Sequence, residues 1–292
     1  MANNGHPSIN TLPAFTMQSN KHRLLDQVPG LGMTMDVRSS NELCFASLVT
    51  TESSLFFIRK GTMTVEARGV DYTARQGEFL LLQAGVPLNI THRPCPNGEH
   101  EATGLFWDRK MIADTAPSLD DCLQDPALVL GEQEERFQAS FTAAYNALKH
   151  ADMLPPAIVA HRLREVLIWL SLWPVYFRPV ENLTLSSRLR DLLGANPGAV
   201  WSEREAAKTL GQSPATLRRH LAAENASFRE ILVDVRMLYA LRLLHSTNQP
   251  VGIVASNAGY ECQSRFAQRF RKRFGFYPSL VRGHKRGSCQ SN

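Results

Sequence analysis

The sequence predicts a two-domain α+β protein, with a β-rich N-terminal domain and an all-α C-terminal domain. Its 292 residues are enough for two hydrophobic cores. Between about Leu43 and Trp107, short runs rich in Val, Thr and aromatic residues are separated by Gly, Pro and Asn, which is typical of strands and turns. From Leu185 to Arg282 the apolar residues follow helical spacing instead, with no convincing strand.

Six segments in the first domain are expected to be strands. They are CFASLVT, SLFFIRK, GTMTVEARG, VDYTARQ, GEFLLLQAG and EATGLFWD. The third of them alternates apolar and polar residues, as a half-buried strand does. Several short strands at such regular spacing favour a small barrel or a sandwich.

Two helices are expected after the strands, from Glu132 to Ala151 and from Pro156 to Trp173. Apolar residues of the second helix are spaced as a ridge formed by Ile158, His161, Leu163, Val166, Leu167 and Leu170. Such a ridge either packs on the barrel or pairs with its twin in a dimer, and both alternatives stay open. For the dimer, the candidate interface residues are Leu163, Val166, Leu167 and Leu170.

Charge divides the chain near Leu185. From there to the C-terminus, 17 Lys and Arg stand against 7 Asp and Glu, a net charge of +10. Residues 1–184 hold the remaining 15 and 20, a net charge of −5. Such asymmetry indicates a nucleic-acid or membrane partner for the basic part.

Other features of the sequence argue against several classes of protein. No stretch of about 18 or more apolar residues is uninterrupted, so no membrane-spanning helix is expected. The N-terminus, MANNGHPSINTLPAF, lacks a basic start followed by an apolar run and is unlike a signal peptide. Five cysteines without CxxC or Cys/His spacing argue against disulfides and zinc, and they favour a cytoplasmic protein.

A weak internal repeat lies inside the helical part. Its first copy, SEREAAKTLGQSPATLRRHL, begins with Ser202 as a helix cap, and Glu205 completes a capping box. Gly211 is expected to end this helix, and Ser213 to cap the next one. The second copy, VGIVASNAGYECQSRFAQRF, ends its first helix at Gly259. Each copy therefore predicts two helices joined by a short glycine turn.

A continuous helix is expected between the copies, from Phe228 to Ser246. At 1.5 Å per residue, its roughly 18 residues span roughly 27 Å. Successive major-groove faces of DNA are about 34 Å apart. A helix of this length is able to hold two recognition units near one turn of DNA apart.

The end of the second copy surrounds an apolar stripe with positive charge. Phe266, Phe270 and Phe274 share one helix face and are expected to pack inward. The arginines and glutamine around them are expected to turn outward, where Arg and Lys neutralise phosphates and polar side chains contact base edges. The pattern favours a DNA-binding helix over a surface helix that is merely basic.

A longer pattern runs through both copies and the helix between them. It consists of Ala206, Ala207, Leu210, Gly211, Ser213, Leu217, Arg218, Arg219, Phe228, Arg236, Met237, Ala240, Leu243, Leu244, Pro250, Val251, Val254, Ala255, Gly259, Tyr260, Phe266, Phe270, Arg271, Phe274, Gly275, Pro278 and Arg282. This pattern, about a third of the chain, resembles the DNA-binding domain of the AraC/XylS family of bacterial transcription regulators. Gln268 and Val281 depart from it, which bears on the bases contacted and leaves the fold unchanged.

The resemblance implies a regulator with two helix-turn-helix units in adjacent major grooves of a promoter operator, with RNA polymerase as a further partner. It assigns eight residues to base contacts: Ala215, Thr216, Arg218, Arg219, Gln263, Ser264, Ala267 and Gln268. It assigns four to phosphate contacts: Ser213, Arg265, Arg271 and Lys272. It implies no cofactor and no catalytic residue.

The segment GEFLLLQAGVPLNITH resembles a conserved segment of cupins, so the first domain is expected to be a cupin-like barrel with dimerisation helices. In the family such a domain binds a small effector, dimerises, or does both. Candidates for an anionic effector group are Arg59, Lys60 and Arg75, with solvated strand residues as the alternative. No metal is expected, since SLFFIRKGTMTVE holds no histidine and His92 and His100 are lone candidates.

These expectations divide the chain into five parts. They are a flexible tail at 1–20, a cupin-like regulatory and dimerisation domain at 21–177, a linker at 178–187, a DNA-binding domain at 188–285 and a tail at 286–292. Inside the DNA-binding domain, the first unit is expected at about 202–222, the linker helix at 228–246 and the second unit at about 251–274.

Three hypotheses of function stay open. The leading one is a homodimeric transcription regulator, expected to be an activator, whose first domain senses a small ligand. The second keeps the DNA-binding module but places it under the control of a protein partner. The third is a metal-dependent cupin enzyme fused to a DNA-binding domain; the missing barrel histidines argue against it, and the protein is not expected to be an enzyme.

Overall fold

The computed structural model describes residues 26–96, 98–115, 125–131, 133–173, 176–178 and 184–281. Within them the chain forms a β-sheet domain followed by a helical domain, the two-domain α+β organisation that the sequence predicts. The expected tails at 1–20 and 286–292 and residues 179–183 of the expected linker lie outside the described residues.

Antiparallel strands build the first domain. The described strands are β1 Gln27–Val28, β2 Gly32–Ser39, β3 Leu43–Val49, β4 Ser53–Lys60, β5 Thr62–Ala67, β6 Val70–Arg75, β7 Phe79–Leu82, β8 Pro87–Arg93, β9 His100–Trp107 and β10 Ala127–Leu130. One sheet has the order β1-β2-β9-β4-β7-β10, and the other has the order β3-β8-β5-β6. The described pairings thus form two sheets whose inner faces share a core.

The sequence does not predict four of these strands, β1, β2, β8 and β10. Strand β8 begins at Pro87, in a segment that the sequence predicts as a turn. Proline is tolerated at the first position of a strand because no ladder hydrogen bond requires its missing N–H there. Strand β2 alternates buried Met33 and Val37 with polar residues, a pattern that lies before the region assigned to strands. Strands β1 and β10 are too short to show a period.

Three helices cover the outer face of the six-stranded sheet: α1 Arg109–Thr115, α2 Glu135–Lys149 and α3 Pro156–Ser171. The second and third lie within the two expected helical segments. Part of the predicted ridge on α3 is wrong, because Ile158 is 46% exposed and His161 is exposed. The four other members are fully buried in the core beneath α3: Leu163, Val166, Leu167 and Leu170.

Seven helices make up the described part of the second domain. They are α4 Leu185–Ala195, α5 Glu203–Thr209, α6 Pro214–Ala223, α7 Phe228–Ser246, α8 Val251–Asn257, α9 Gln263–Phe274 and α10 Pro278–Val281. Helix α7 has the same bounds as the helix predicted between the two repeat copies. Across the described residues, no helix combines the length and the apolar character that a membrane crossing requires.

One cluster of buried side chains runs through both domains. It contains Met33 and Val37 on the inner face of the six-stranded sheet, Phe45 on the other sheet, and Met237 and Leu244 on α7. Phe45 also makes edge contacts with Phe274 and Phe276, with ring centroids 5.9 and 5.4 Å apart. The N-terminal sheets are therefore packed directly against α7 and the end of α9.

Candidate nucleic-acid interface

The first helix-turn-helix unit is formed by α5 and α6. The Ser202 hydroxyl accepts from the Glu205 N–H at 3.2 Å, and Glu205 in turn accepts from the Ser202 N–H at 3.0 Å. This reciprocal capping box starts α5. Gly211 has a φ of +69°, a left-handed conformation that suits glycine at the turn. The predicted caps and turn of this unit therefore match its geometry.

Helix α6 has one buried face and one open face. Leu217 and Leu221 are 0 and 1% exposed, which anchors the helix on α4, α5 and α7. The predicted base-contacting residues lie on the other side: Ala215, Arg218 and Arg219 are exposed and Thr216 is half-buried. The Ser213 hydroxyl accepts from the Thr216 N–H at 3.1 Å and so caps α6.

Arg218 is held by a neighbour on α5. Its Nε donates to Glu203, and its own side chain remains 70% exposed. The ion pair orients the guanidinium without removing it from solvent. A phosphate or a guanine edge is able to compete for the remaining N–H groups.

The second unit is formed by α8 and α9, joined at Gly259 with a φ of +77°. The phenylalanine stripe is buried as predicted, with Phe266 and Phe270 at 0% and Phe274 at 4% exposure. Among the residues predicted to contact DNA from α9, Gln263, Ser264, Arg265 and Gln268 are exposed and Ala267 is half-buried. The open face of this helix is therefore polar and cationic.

Three consecutive basic residues end α9, and they have different surroundings. Arg271 donates to the Tyr277 hydroxyl at 2.9 Å and lies over that ring, while Lys272 is exposed. Arg273 contradicts the expectation that the arginines turn outward. It donates to Asp234 of α7 at 2.9 Å and to the carbonyls of Ala46 and Ser47 at 2.7 and 2.8 Å.

Arg273 turns inward because acceptors are available there. Strand β3 has an irregular register between Phe45 and Leu48, and Ser47 has a φ of +51°. At this bulge the hydrogen bonds between the strands are interrupted, so the carbonyls of Ala46 and Ser47 are able to accept hydrogen bonds from another element. Sequence reasoning had no signal for this, since a bulge depends on the pairing of distant strands.

Cys262 is an exposed residue of this surface that sequence reasoning did not select. It directly precedes α9, and its Sγ lies 3.1 Å from the Ser264 hydroxyl oxygen. The Ser264 hydroxyl, followed by the N–H groups of Arg265 and Ser264, lowers the pKa of this thiol. The first turn of α9 therefore stabilises negative charge next to the predicted base-contacting residues.

Residues 206–284 match a protein family whose description is "Helix-turn-helix domain". The C-terminal third of the chain contains this helix-turn-helix domain, and the relatives that it matches are AraC-family regulators. It shares 36% identity over 101 residues with the urease operon transcriptional activator of Escherichia coli, 35% of this chain and 34% of that protein. It shares 38% identity over 98 residues with the ornithine utilization regulator of Pseudomonas aeruginosa, 34% of this chain and 29% of that protein. The match thus spans about a third of the length of these curated relatives.

The whole described architecture also resembles solved structures of ToxT from Vibrio cholerae. One matches with a TM-score of 0.55 at 15% identity, covering 87% of this chain and 99% of that one. A second, bound to an unsaturated fatty acid, matches with the same TM-score at 14% identity over 85% and 93% of the two chains. At this identity the likeness shows the fold alone, a β-sheet domain joined to a helical domain.

The predicted effector residues do not converge. Arg59 donates to the Thr103 hydroxyl at 2.9 Å and lines a polar pocket of about 200 Å³ beside the C-terminal end of α2. Lys60 forms an ion pair of 2.7 Å with Glu101 at the surface. Arg75 is exposed on β6 of the other sheet and does not line this pocket. Of the three residues, Arg59 alone lines this pocket.

The two histidines considered as metal candidates form a buried pair. The rings of His92 and His100 stack with their centroids 4.7 Å apart, and both side chains are at most 4% exposed. His245 of α7 lies 6.1 Å from His92, so the group sits where the two domains meet. Among the described residues, no three or more His, Cys, Asp or Glu side chains are arranged to hold a metal ion.

Proposed function

We propose that the protein is a sequence-specific transcription regulator, an activator, which places its two helix-turn-helix units in adjacent major grooves. One observation carries this proposal. Both α6 and α9 bury their apolar faces completely and leave the polar and basic residues on the open side. The net charge of +10 from Leu185 onward supports attraction to phosphates.

On this proposal, side chains of the two open faces have separate roles. Arg218, Arg219, Gln263 and Gln268 contact base edges, because Arg pairs with guanine and Gln with adenine in the major groove. Arg265, Arg271 and Lys272 contact phosphates, which positions the protein without specifying a sequence. The smaller Ala215, Thr216, Ser264 and Ala267 also contact base edges, and Ser213 adds a phosphate contact.

Selection from randomised DNA tests the proposal. The full chain is bound to duplexes with a randomised central region, and the bound duplexes are amplified and sequenced. We expect one enriched sequence with two half-sites about one helical turn apart. The affinity for it should fall steeply with salt concentration. Binding without enrichment, or binding that salt does not weaken, would reject the proposal.

We further propose that the first domain controls the second through a small ligand. Arg59 and its pocket support this, and the ToxT structure bound to an unsaturated fatty acid shows that the fold admits a ligand in that protein. Control by a protein partner is the second candidate. Thermal shift against metabolite and fatty-acid panels separates the two, because a ligand that binds only the folded state raises the melting temperature.

The dimer that the sequence predicts would need a surface other than the buried ridge. Leu163, Val166, Leu167 and Leu170 are used inside the subunit. On its opposite side, helix α3 exposes Ile158 and Ile168 at 46 and 55%, and Leu172 directly after it is 69% exposed. We propose a second copy of the chain as the partner of this apolar surface. Light scattering of the full chain and of Ile168→Asp tests this, since only the former should have the mass of a dimer.

The remaining proposals concern where and how the protein acts. Its relatives are transcription regulators, which supports a non-enzymatic role in the cytoplasm with DNA and RNA polymerase as partners. Transcription in vitro from a promoter carrying the selected duplex tests the sign of regulation. A rise in transcript on adding the protein is expected, and a fall would make it a repressor.

A further inference from the structure

The two helix-turn-helix units have separate hydrophobic cores. The first core contains α4, α5 and α6 and includes Ile231 and Val235 from the N-terminal half of α7. The second unit packs in another cluster, which takes Met237 and the following residues of α7. Among the buried residues of α7, the division falls between Val235 and Met237, with the partly buried Val233 already packed against the second cluster. The two cores therefore meet within about one turn of this helix.

Arg236 lies at this division and contacts both units. Its Nε donates to the Pro197 carbonyl at 3.0 Å, and one terminal nitrogen donates to the Ala199 carbonyl at 2.9 Å. Both carbonyls belong to the loop that joins α4 to α5 in the first unit. This fork with two acceptors fixes the plane of the guanidinium.

The other side of the same guanidinium rests on the turn of the second unit. Its central carbon lies 5.7 Å from the centre of the Tyr260 ring. A Cβ placed on Gly259 would lie 2.7 to 3.0 Å from three atoms of the guanidinium, so the plane lies directly against this glycine. A side chain at this position would displace Arg236, in addition to the strain of a φ of +77°.

The loop and the turn also touch each other beside Arg236. A Cβ on Gly198 would lie 2.6 Å from the Asn257 carbonyl oxygen at the end of α8. Asp234, two residues before Arg236, accepts from Arg190 of α4 at 3.4 Å and from Arg273 of α9 at 2.9 Å. Polar contacts of Asp234 and Arg236 on α7 thus connect the two units before and at the division between their cores.

We propose that Arg236 is a positioning residue that sets the angle between α6 and α9, the DNA-contacting helices of the two units. This angle in turn sets the spacing of the two DNA half-sites. This inference rests on the proposed function. Arg236 itself contacts no DNA in this assignment; it acts through the loop 197–199 and the turn at Gly259. Without its two hydrogen bonds, the units would still fold on their separate cores and would sample a wider range of angles.

The spacing preference of the full chain tests the proposal. The probe is the duplex that the wild-type protein selects, together with duplexes that gain or lose one or two base pairs between the half-sites and duplexes with a single half-site. Wild type should prefer the selected spacing by about tenfold or more, since two tethered units bind well only when both reach their sites. Arg236→Ala should lower this preference to within about threefold and leave single-half-site affinity unchanged within about twofold.

Two control variants separate positioning from folding and from charge. Arg229→Ala removes an exposed arginine from the same helix and should retain the wild-type spacing preference. Arg236→Lys keeps the charge but cannot form the planar fork, so it should lie between wild type and Arg236→Ala. If Arg236→Ala does not fold, the spacing preference of Arg236→Lys tests the inference instead.

Each outcome of this experiment has a definite meaning. A folded Arg236 variant that keeps the full spacing preference overturns the inference, as does an equal loss of affinity for single and double half-sites. If wild type enriches no duplex, the proposed function fails instead. The two failures are therefore distinguishable.

Discussion

Arg242 of α7 forms an ion pair of 2.8 Å with Glu52, the residue before β4, and the two side chains are 21 and 22% exposed. This pair connects the second domain to the first. Arg273 makes a second polar connection through the carbonyls of Ala46 and Ser47. The two domains are therefore coupled by oriented charges as well as by the shared core.

Breaking the Arg242–Glu52 pair should destabilise the protein. Burial by itself raises the pKa of Glu52, but the charge and hydrogen bond of Arg242 outweigh it and lower the pKa overall. We expect Arg242→Met and Glu52→Gln each to lower the free energy of unfolding by about 1–2 kcal/mol, because each leaves a partly buried partner unpaired. Urea denaturation of both single variants and the double variant measures the coupling.

The exposed pair between Lys60 and Glu101 is the matched control for that experiment. The Lys60 side chain is 53% exposed, so solvent screens the attraction, and Lys60→Met should change stability much less. An equal loss from Lys60→Met and Arg242→Met would contradict the importance given to the interdomain pair.

Mild acid should destabilise the junction of the domains through His92 and His100. Burial, followed by the charges of His100 and His245, lowers the pKa of His92 well below its usual value. Burial lowers the pKa of His100 to about 4, against the opposing effects of the Lys60 backbone and the Glu101 charge. Other charges near this junction come from Arg273 and Asp234.

The sign follows from which state binds more protons. Both imidazoles are neutral when folded, whereas in the unfolded chain they take up protons below about pH 6.5. The contribution of the two neutral histidines to the free energy of unfolding is therefore complete above about pH 6.5. It decreases as the pH drops toward about 4, by about 3 kcal/mol for His100 alone. Urea midpoints at several pH values measure it. His100→Phe should flatten the dependence, whereas replacing the exposed His150 by Gln should not.

Arg218 and Lys272 should affect DNA binding in different ways. Arg218→Ala should abolish the preference for one base step at a cost of about 1–3 kcal/mol, because a bidentate contact to a base is lost. Lys272→Ala should weaken binding to all sequences alike and lower the slope of log affinity against log salt by about 0.9. Titrations of selected and point-substituted duplexes at several salt concentrations measure both. Equal loss of specificity from the two variants would contradict the assignment.

Phe270→Ala should unfold the second helix-turn-helix unit preferentially. Phe270 is fully buried, and its ring centroid lies 4.6 Å from that of Phe274 and 5.7 Å from that of Phe266. Removing such a ring costs about 3–5 kcal/mol. Hydrogen exchange should show faster exchange in α8 and α9 than in α5 and α6. Uniform acceleration over both units would show that they do not unfold separately.

Local patterns predicted much of the helical domain. The capping box at Ser202, the glycine turns at Gly211 and Gly259 and the full extent of α7 all follow from signals within a few residues of each other. The phenylalanine stripe of α9 was equally visible, because helical spacing alone determines which residues share a face. These are also the features on which the DNA-binding surface depends.

The β domain was less accessible from the sequence. Strand β2 shows its alternation clearly, but β1 and β10 are too short to carry a period, and β8 starts with a proline. The ridge predicted on α3 is wrong at Ile158 and His161, because at about 100° per residue these positions fall on the side of the helix opposite Leu163 and Leu167.

By itself, the sequence determined the class of each domain, the two repeated units, the helix between them and the residues of their open faces. The reason is that caps, turns and helical faces are set by interactions over a few residues. Only the tertiary structure decided that Arg273 turns toward Ala46 and Ser47, that Arg242 meets Glu52, and that Arg236 lies between the loop 197–199 and Gly259. Such contacts join residues tens to hundreds of positions apart, and no local pattern specifies which acceptor a long cationic side chain will reach.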